Sequence, residues 1–140
     1  MTDAREYLTS IRKAEERLSL KKRQVENLRD RLTSLSVPTD KEVVSHTPNV
    51  GVMADTVAMI ADMEAEISRQ SAENVLMEGQ AYLLLNKLPP EYSSLLIDHY
   101  LKGKKITEIC KTTHLEQRWT KKKIASALAK FQCILDHGDI

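Results

Sequence analysis

Glycine and proline are scarce in this 140-residue chain, four of each, and aromatic residues make up only 4% of it. Sheet proteins need turn residues between strands and β-branched or aromatic residues within them, so this composition disfavours one. The two cysteines, Cys110 and Cys133, form neither a CxxC motif nor a plausible disulfide framework. They read as small buried hydrophobes in a reducing compartment. No apolar run reaches the roughly 18 residues that a membrane span needs. The opening Met1-Thr2-Asp3-Ala4-Arg5-Glu6 reaches a charged helix at once, which argues against a signal peptide, so the expected location is cytoplasmic. His46, His99, His114 and His137 are scattered, without a nucleophile or carboxylate at a consistent spacing, and no H-E-x-x-H, P-loop, G-x-G-x-x-G or metal-ligand cluster occurs. These absences point away from an enzyme and imply no cofactor.

Alanine, leucine, lysine and glutamate are plentiful, which favours helix, and the expected fold class is all-α. Asp3-Ala4-Arg5-Glu6 places an acidic N-cap three residues before a glutamate, a helix-start signal. Apolar or small residues then recur at Tyr7, Ile11, Ala14, Leu18, Val25, Leu28, Leu32 and Leu35, stepping by three and four with one interruption at Lys21. That spacing is a coiled-coil seam. A helix of about 33 residues spans about 50 Å, too long to bury its stripe against a small globular core.

Ser36 to Gly51 contains Pro38, Thr39-Asp40, Thr47-Pro48 and Asn49-Val50-Gly51, and reads as a loop. A second row follows at Met53, Thr56, Ile60, Met63, Ile67, Gln70, Asn74, Met77, Ala81, Leu84 and Leu88. The second helix is expected to fold back on the first as a long antiparallel, coiled-coil-like hairpin. Polar Gln70 and Asn74 at seam positions are the kind of residue that fixes register or oligomer state. Two such hairpins could pair as a four-helix homodimer. Ile11, Leu18, Val25, Leu28 and Leu32 on the first row, with Ile60 and Ile67 on the second, are the candidate oligomerisation positions.

Leu88-Pro89-Pro90-Glu91 ends the long helix and starts another, because the residue before a proline avoids the α region while proline suits a first helical turn. Residues 1–88 are therefore expected to form the hairpin, and 89–140 a three-helix domain. Within the latter, Tyr92, Leu95, Leu96, His99 and Tyr100 mark a helix that stops at Lys102-Gly103. A short helix follows at Ile106 to Lys111. Thr113-His114-Leu115-Glu116 offers a capping box for a last helix running through Leu135. Three helices of these lengths with short turns fit a helix-turn-helix unit.

Charge is segregated along the chain although its sum is only +1. From Lys102 to Lys130 nine Lys or Arg face two acids, Glu108 and Glu116, a local charge of +7, whereas the preceding 101 residues sum to −4. On the last helix Thr120, Ile124, Ala127, Leu128 and Phe131 share one face at 100° per residue. Arg118, Trp119, Lys122 and Ser126 point the other way. Such a face can enter a DNA major groove, with Arg or Lys reading guanine and apolar surface meeting thymine methyl groups. The candidate DNA-binding residues are Gln117, Arg118, Trp119, Lys121, Lys122, Lys123 and Ser126, with Lys104 and Lys105 on flanking phosphates. The bland alternative is that Lys121-Lys122-Lys123 is only a solvated face and that Trp119 tucks beneath the preceding helix.

Glu91-Tyr92-Ser93-Ser94-Leu95-Leu96, Tyr100-Leu101-Lys102-Gly103-Lys104-Lys105-Ile106-Thr107-Glu108-Ile109-Cys110, Arg118-Trp119 and Ala127-Leu128-Ala129-Lys130-Phe131 together resemble the C-terminal region of small phage-encoded regulators of Gram-positive bacteria. These are the ArpU-like or RinA-like late-gene activators, whose helix-turn-helix is similar to the promoter-reading C-terminal region of sigma factors. The N-terminal Ala4-Arg5-Glu6-Tyr7-Leu8 with Ile11-Arg12-Lys13, and Met53-Ala54-Asp55, look like the same family. The resemblance implies transcription regulation in a phage or prophage, by binding double-stranded promoter DNA and contacting RNA polymerase. Two positions depart from the pattern: His114 stands where glycine is expected in the turn, and Lys123 stands where the family keeps an apolar residue. The competing expectations are a small terminase subunit, which pairs a helix-turn-helix with oligomerising helices, and a coiled-coil module that binds another protein.

Overall fold

The computed structural model describes residues 3–36 and 48–137. Among them are five α-helices and no strand: α1 (Ala4–Ser36), α2 (Pro48–Leu85), α3 (Pro90–Leu96), α4 (Ile106–Thr113) and α5 (Gln117–His137). A π-helical turn, Ile97–Leu101, continues α3. The protein is all-α, as its composition predicts.

Local signals explain most of the helix ends. The Asp3 carboxylate accepts a hydrogen bond from the Glu6 backbone N–H at 3.1 Å, which caps α1. Of the loop expected over Ser36 to Gly51, residues 37–47 lie outside those described, while Pro48 to Gly51 already belong to α2. Proline at a first helical position costs no hydrogen bond, so the turn-forming reading of Pro48 gives way to a helix start. Pro90 opens α3 in the same way, and the Tyr92 and Ser93 N–H groups donate to the Pro89 carbonyl at 3.0 and 3.1 Å.

The last helix starts later than the sequence suggests. Thr113 closes α4, and its hydroxyl donates back to the Ile109 carbonyl at 2.9 Å instead of capping α5. A threonine hydroxyl satisfied by the preceding turn is no longer free to cap the next helix. The chain reverses at His114, which takes the left-handed conformation (φ 61°, ψ 28°), and α5 begins at Gln117.

The chain divides into two compact units, Met1–Glu15 with Asn74–Ile140, and Glu16–Glu73. The cut thus crosses both long helices, and the 88/89 junction falls inside the first unit. The core of that unit joins Ala4 and Leu8 of α1 and Leu85 of α2 to Leu88, Leu95, Leu96, Tyr100, Ile109, Ile124, Ala127, Phe131 and Ile134. The backbone N–H of Ala4 donates to the Gln132 side-chain carbonyl at 2.7 Å, which ties the start of α1 to α5.

In the second unit Leu18, Val25 and Ile60 are buried, and Leu28, Leu32, Met63 and Ile67 are half-buried. Arg29 of α1 makes a hydrogen-bonded ion pair with Glu64 of α2. On α2 itself Arg69 bridges Glu66 and Glu73, and its hydrogen bond holds the Glu66 carboxyl below the usual carboxylate range. The candidate oligomerisation positions Ile11, Leu18, Val25 and Ile60 are therefore buried within a single chain. The side chain of Leu35 lies outside the described residues.

Candidate nucleic-acid interface

The exposed face of α5 is set by the face the core takes. Thr120, Ile124, Ala127, Phe131 and Ile134 are buried. Spacings of three and four residues turn all five to one side of a 3.6-residue helix, so the residues between them must face out. Gln117, Arg118, Trp119, Lys121, Lys122 and Ser126 are all exposed. Trp119 is 57% exposed and does not tuck beneath α4.

Trp119 and Lys122 lie together on this face, with the lysine Nζ 5.1 Å from the centre of the indole ring. A cation over an indole at that distance is a weak exposed attraction that holds both groups in one place. The pair offers a flat apolar surface beside a positive charge. No acidic residue occupies the first turn of α5, although Glu116 immediately precedes it. The outward N–H groups and positive dipole end of a helix start favour an anion, and Arg118 adds to that field.

Thr120 holds the register of this face from behind. It is fully buried, and its hydroxyl oxygen accepts from the Cys110 thiol of α4 at 3.3 Å. Together with Ile109 in the core, this contact fixes the approach of α4 to α5 across the three-residue turn at His114.

Two flanking lysines sit at the other end of α4. Lys105 is exposed at its N-cap, and Lys104 is half-buried. Their segment is held rigidly: the Lys104 N–H donates to the Asp98 carbonyl at 2.9 Å, and the Lys104 carbonyl lies 2.9 Å from His99 Nδ1. Gly103 makes the bend at φ 73°, and a Cβ there would sit 3.5 Å from Arg12 Cδ. Arg12 also donates from Nη1 to the His99 carbonyl at 3.4 Å. α1 thereby supports the turn that presents Lys104 and Lys105.

Not every basic residue of the segment is free for a ligand. Lys123 is half-buried with Nζ 3.1 Å from the Glu91 carboxylate. Its side chain closes onto α3. Lys102 lies 3.9 Å from Asp98, and Lys130 Nζ sits 5.6 Å from the Tyr92 ring centre. By contrast, Lys105, Lys111, Arg118, Lys121 and Lys122 are exposed and form no ion pair among the described residues.

One contributor escapes sequence reasoning. Arg5 and Lys121 line the same cleft of about 440 Å³, with His99, Tyr100 and Ile106 among its walls. Nothing in the spacing of α1 signals that Arg5 joins the basic end, because the proximity arises only from packing. No group of three or more His, Cys, Asp or Glu side chains arranged to hold a metal occurs among the described residues. No helix among them is long and apolar enough to cross a membrane. No known protein family, curated protein or solved structure matches the chain.

Proposed function

We propose that the protein is a transcriptional regulator of the phage late-gene activator kind, which binds double-stranded DNA by laying the N-terminal half of α5 into the major groove. The observation that carries this reading is the split of α5, with Thr120, Ile124 and Ala127 buried while Arg118, Trp119 and Lys122 stand exposed on the opposite side. α4, the three-residue turn and α5 fit the helix-turn-helix arrangement, in which the second helix reads base edges and the first crosses the backbone. Arg118 and Lys122 are the base-reading candidates, and Trp119 offers apolar surface to thymine methyl groups. Lys105, Lys111 and Lys121 meet phosphates, which supply affinity and orientation without sequence information. RNA polymerase is the second partner this reading expects at a promoter.

The test begins with recovery of bound DNA from the host genome, followed by binding of the recovered sequences and of random duplexes. Arg118→Ala and Lys122→Ala should each weaken binding to the recovered sequence by about 1–3 kcal/mol and leave helicity unchanged. Equal losses on both kinds of duplex would reduce these residues to phosphate contacts. Absence of any binding at low salt would refute the reading.

A further inference from the structure

The cleft between the start of α1 and α5 is lined by cations of one sign. Arg5 comes from the first turn of α1 and Lys121 from α5, with His99, Tyr100 and Ile106 beside them, and no Asp or Glu lines it. Arg5 is exposed and makes no ion pair among the described residues. Two acids flank it in sequence, but the Asp3 carboxylate is held by the Glu6 N–H, and neither Asp3 nor Glu6 pairs with the guanidinium. The backbone that carries Arg5 is fixed on both sides. Ala4 is buried and its N–H donates to the Gln132 side chain at 2.7 Å, and Leu8 is buried one turn further on. An arginine on such a base loses less freedom on meeting a ligand than one on a mobile arm.

The cleft borders the outward face of α5. Counted from Ile124 at 100° per residue, Lys121 falls at about 60°, Ala125 at about 100°, Arg118 at about 120° and Lys122 at about 160°. The cations therefore step from the wall of the cleft round to the exposed side of the helix. Ala125, which lies between Lys121 and Arg118 in angle, is exposed and carries only a methyl group, so no bulky or acidic side chain interrupts the run.

We propose that Arg5 is a DNA contact: one strand of the duplex backbone passes along this cleft, and Arg5 neutralises a phosphate of its own there, beyond those met by the lysines of α4 and α5. The proposal rests on the reading of α5 as the helix that enters the groove. A guanidinium presents paired N–H donors that match the oxygens of a phosphate. The occupant is a duplex and not a small free anion because the cationic run continues from the cleft onto the face of α5, and a chain of phosphates extends along such a run. The start of α1 thus binds DNA directly, in addition to closing the core beneath α5 with Ala4 and Leu8.

Binding of the full chain to the recovered and to random duplexes over a salt series tests the contact. Arg5→Ala should make the slope of log K against log salt shallower by about 0.9, so that a fourfold rise in salt costs it about 3.5-fold less affinity than the wild type, on both duplexes alike. Arg5→Lys keeps the charge and should keep the slope. In ethylation interference, at least one phosphate whose ethylation blocks the wild type should cease to matter for Arg5→Ala. Weaker binding by Arg5→Ala with slope and footprint unchanged would make Arg5 a support of the fold and overturn the proposal. A thermal midpoint that inorganic phosphate raises at fixed ionic strength in the wild type and not in Arg5→Ala, again with the slope unchanged, would make the cleft a free-anion site and overturn it too. If Arg5→Ala binds and footprints as the wild type does while Arg118→Ala still weakens binding, the proposal fails and the reading of α5 stands. A wild type that binds no duplex at low salt overturns both.

Discussion

Lys122 and Lys123 are neighbours in sequence and carry the same charge, yet the structure predicts opposite results on removing them. Lys122 stands exposed beside Trp119, whereas Lys123 lies 3.1 Å from the Glu91 carboxylate. If α5 lies on a duplex, Lys105, Lys111, Arg118, Lys121 and Lys122 are the cations at hand, exposed and in no ion pair among the described residues. Each cation that neutralises a phosphate steepens the fall of log K with log salt by about 0.9, so Lys105, Lys111 and Lys121 give a slope near −2.7, or a loss of about 40-fold over a fourfold rise in salt, and all five on phosphates would give about −4.5. Lys122→Ala should make the slope shallower by about 0.9 if the lysine meets a phosphate. Should it read a base instead, the slope holds and the loss appears on the specific sequence alone. Lys123→Ala should change neither, and an exposed pair of this kind contributes at most about 1 kcal/mol to stability. Fluorescence anisotropy on a labelled duplex across a salt series measures all three proteins. Equal effects of the two substitutions, or a wild-type slope near zero, would refute the assignment of this face.

The two left-handed turns give a contrast measurable by thermal unfolding. Gly103→Ala should destabilise by about 1–2 kcal/mol, since φ 73° strains a side chain. His114→Gly should be neutral or stabilise by up to about 1 kcal/mol, because it relieves the same strain at φ 61° against glycine's greater chain entropy. A fall in midpoint for His114→Gly would show that the imidazole makes a stabilising contact. Phe131→Ala, at a side chain with no exposure, should cost about 3–5 kcal/mol and broaden or abolish cooperative unfolding. A loss under about 1 kcal/mol would mean that the core does not close on α5.

The all-α class and the two faces of α5 were legible because helical period is written directly in residue spacing. Thr120, Ile124, Ala127 and Phe131 repeat by three and four, and the structure buries all four. The left-handed bend at Gly103 was legible for a similar local reason, since only glycine enters that conformation freely. Periodicity says which side of a helix is apolar and is silent about what covers it. Lys123 looked like its neighbours in a basic run, and only the packing of α5 on α3 brings Glu91, 32 residues away, within reach. Arg5 and Lys121 share a cleft on the same terms. The start of α5 was misplaced because Thr113 has two possible backbone partners, and the choice depends on whether α4 completes its last turn.

How much of the chain α5 needs follows from the same packing. Proline pairs mark where a helix must end, and Pro89-Pro90 does separate α2 from α3. The core beneath α5 nevertheless takes Leu8, Leu85 and Leu88 from the earlier residues, at 0%, 0% and 4% exposure. Burying a leucine side chain contributes about 1.5–3 kcal/mol, so these three contribute about 4.5–9 kcal/mol. The whole stability of a small domain is about 5–15 kcal/mol. A fragment of residues 89–140 should therefore lack a cooperative thermal transition and bind DNA only weakly, whereas the same fragment joined to residues 74–88 and supplied with a peptide of residues 1–15 should regain both. Circular dichroism melting and anisotropy on the recovered duplex read the two effects. A fragment of residues 89–140 that melts cooperatively near the full-length midpoint would show that α3, α4 and α5 close their own core, and that the early leucines cover it without being required.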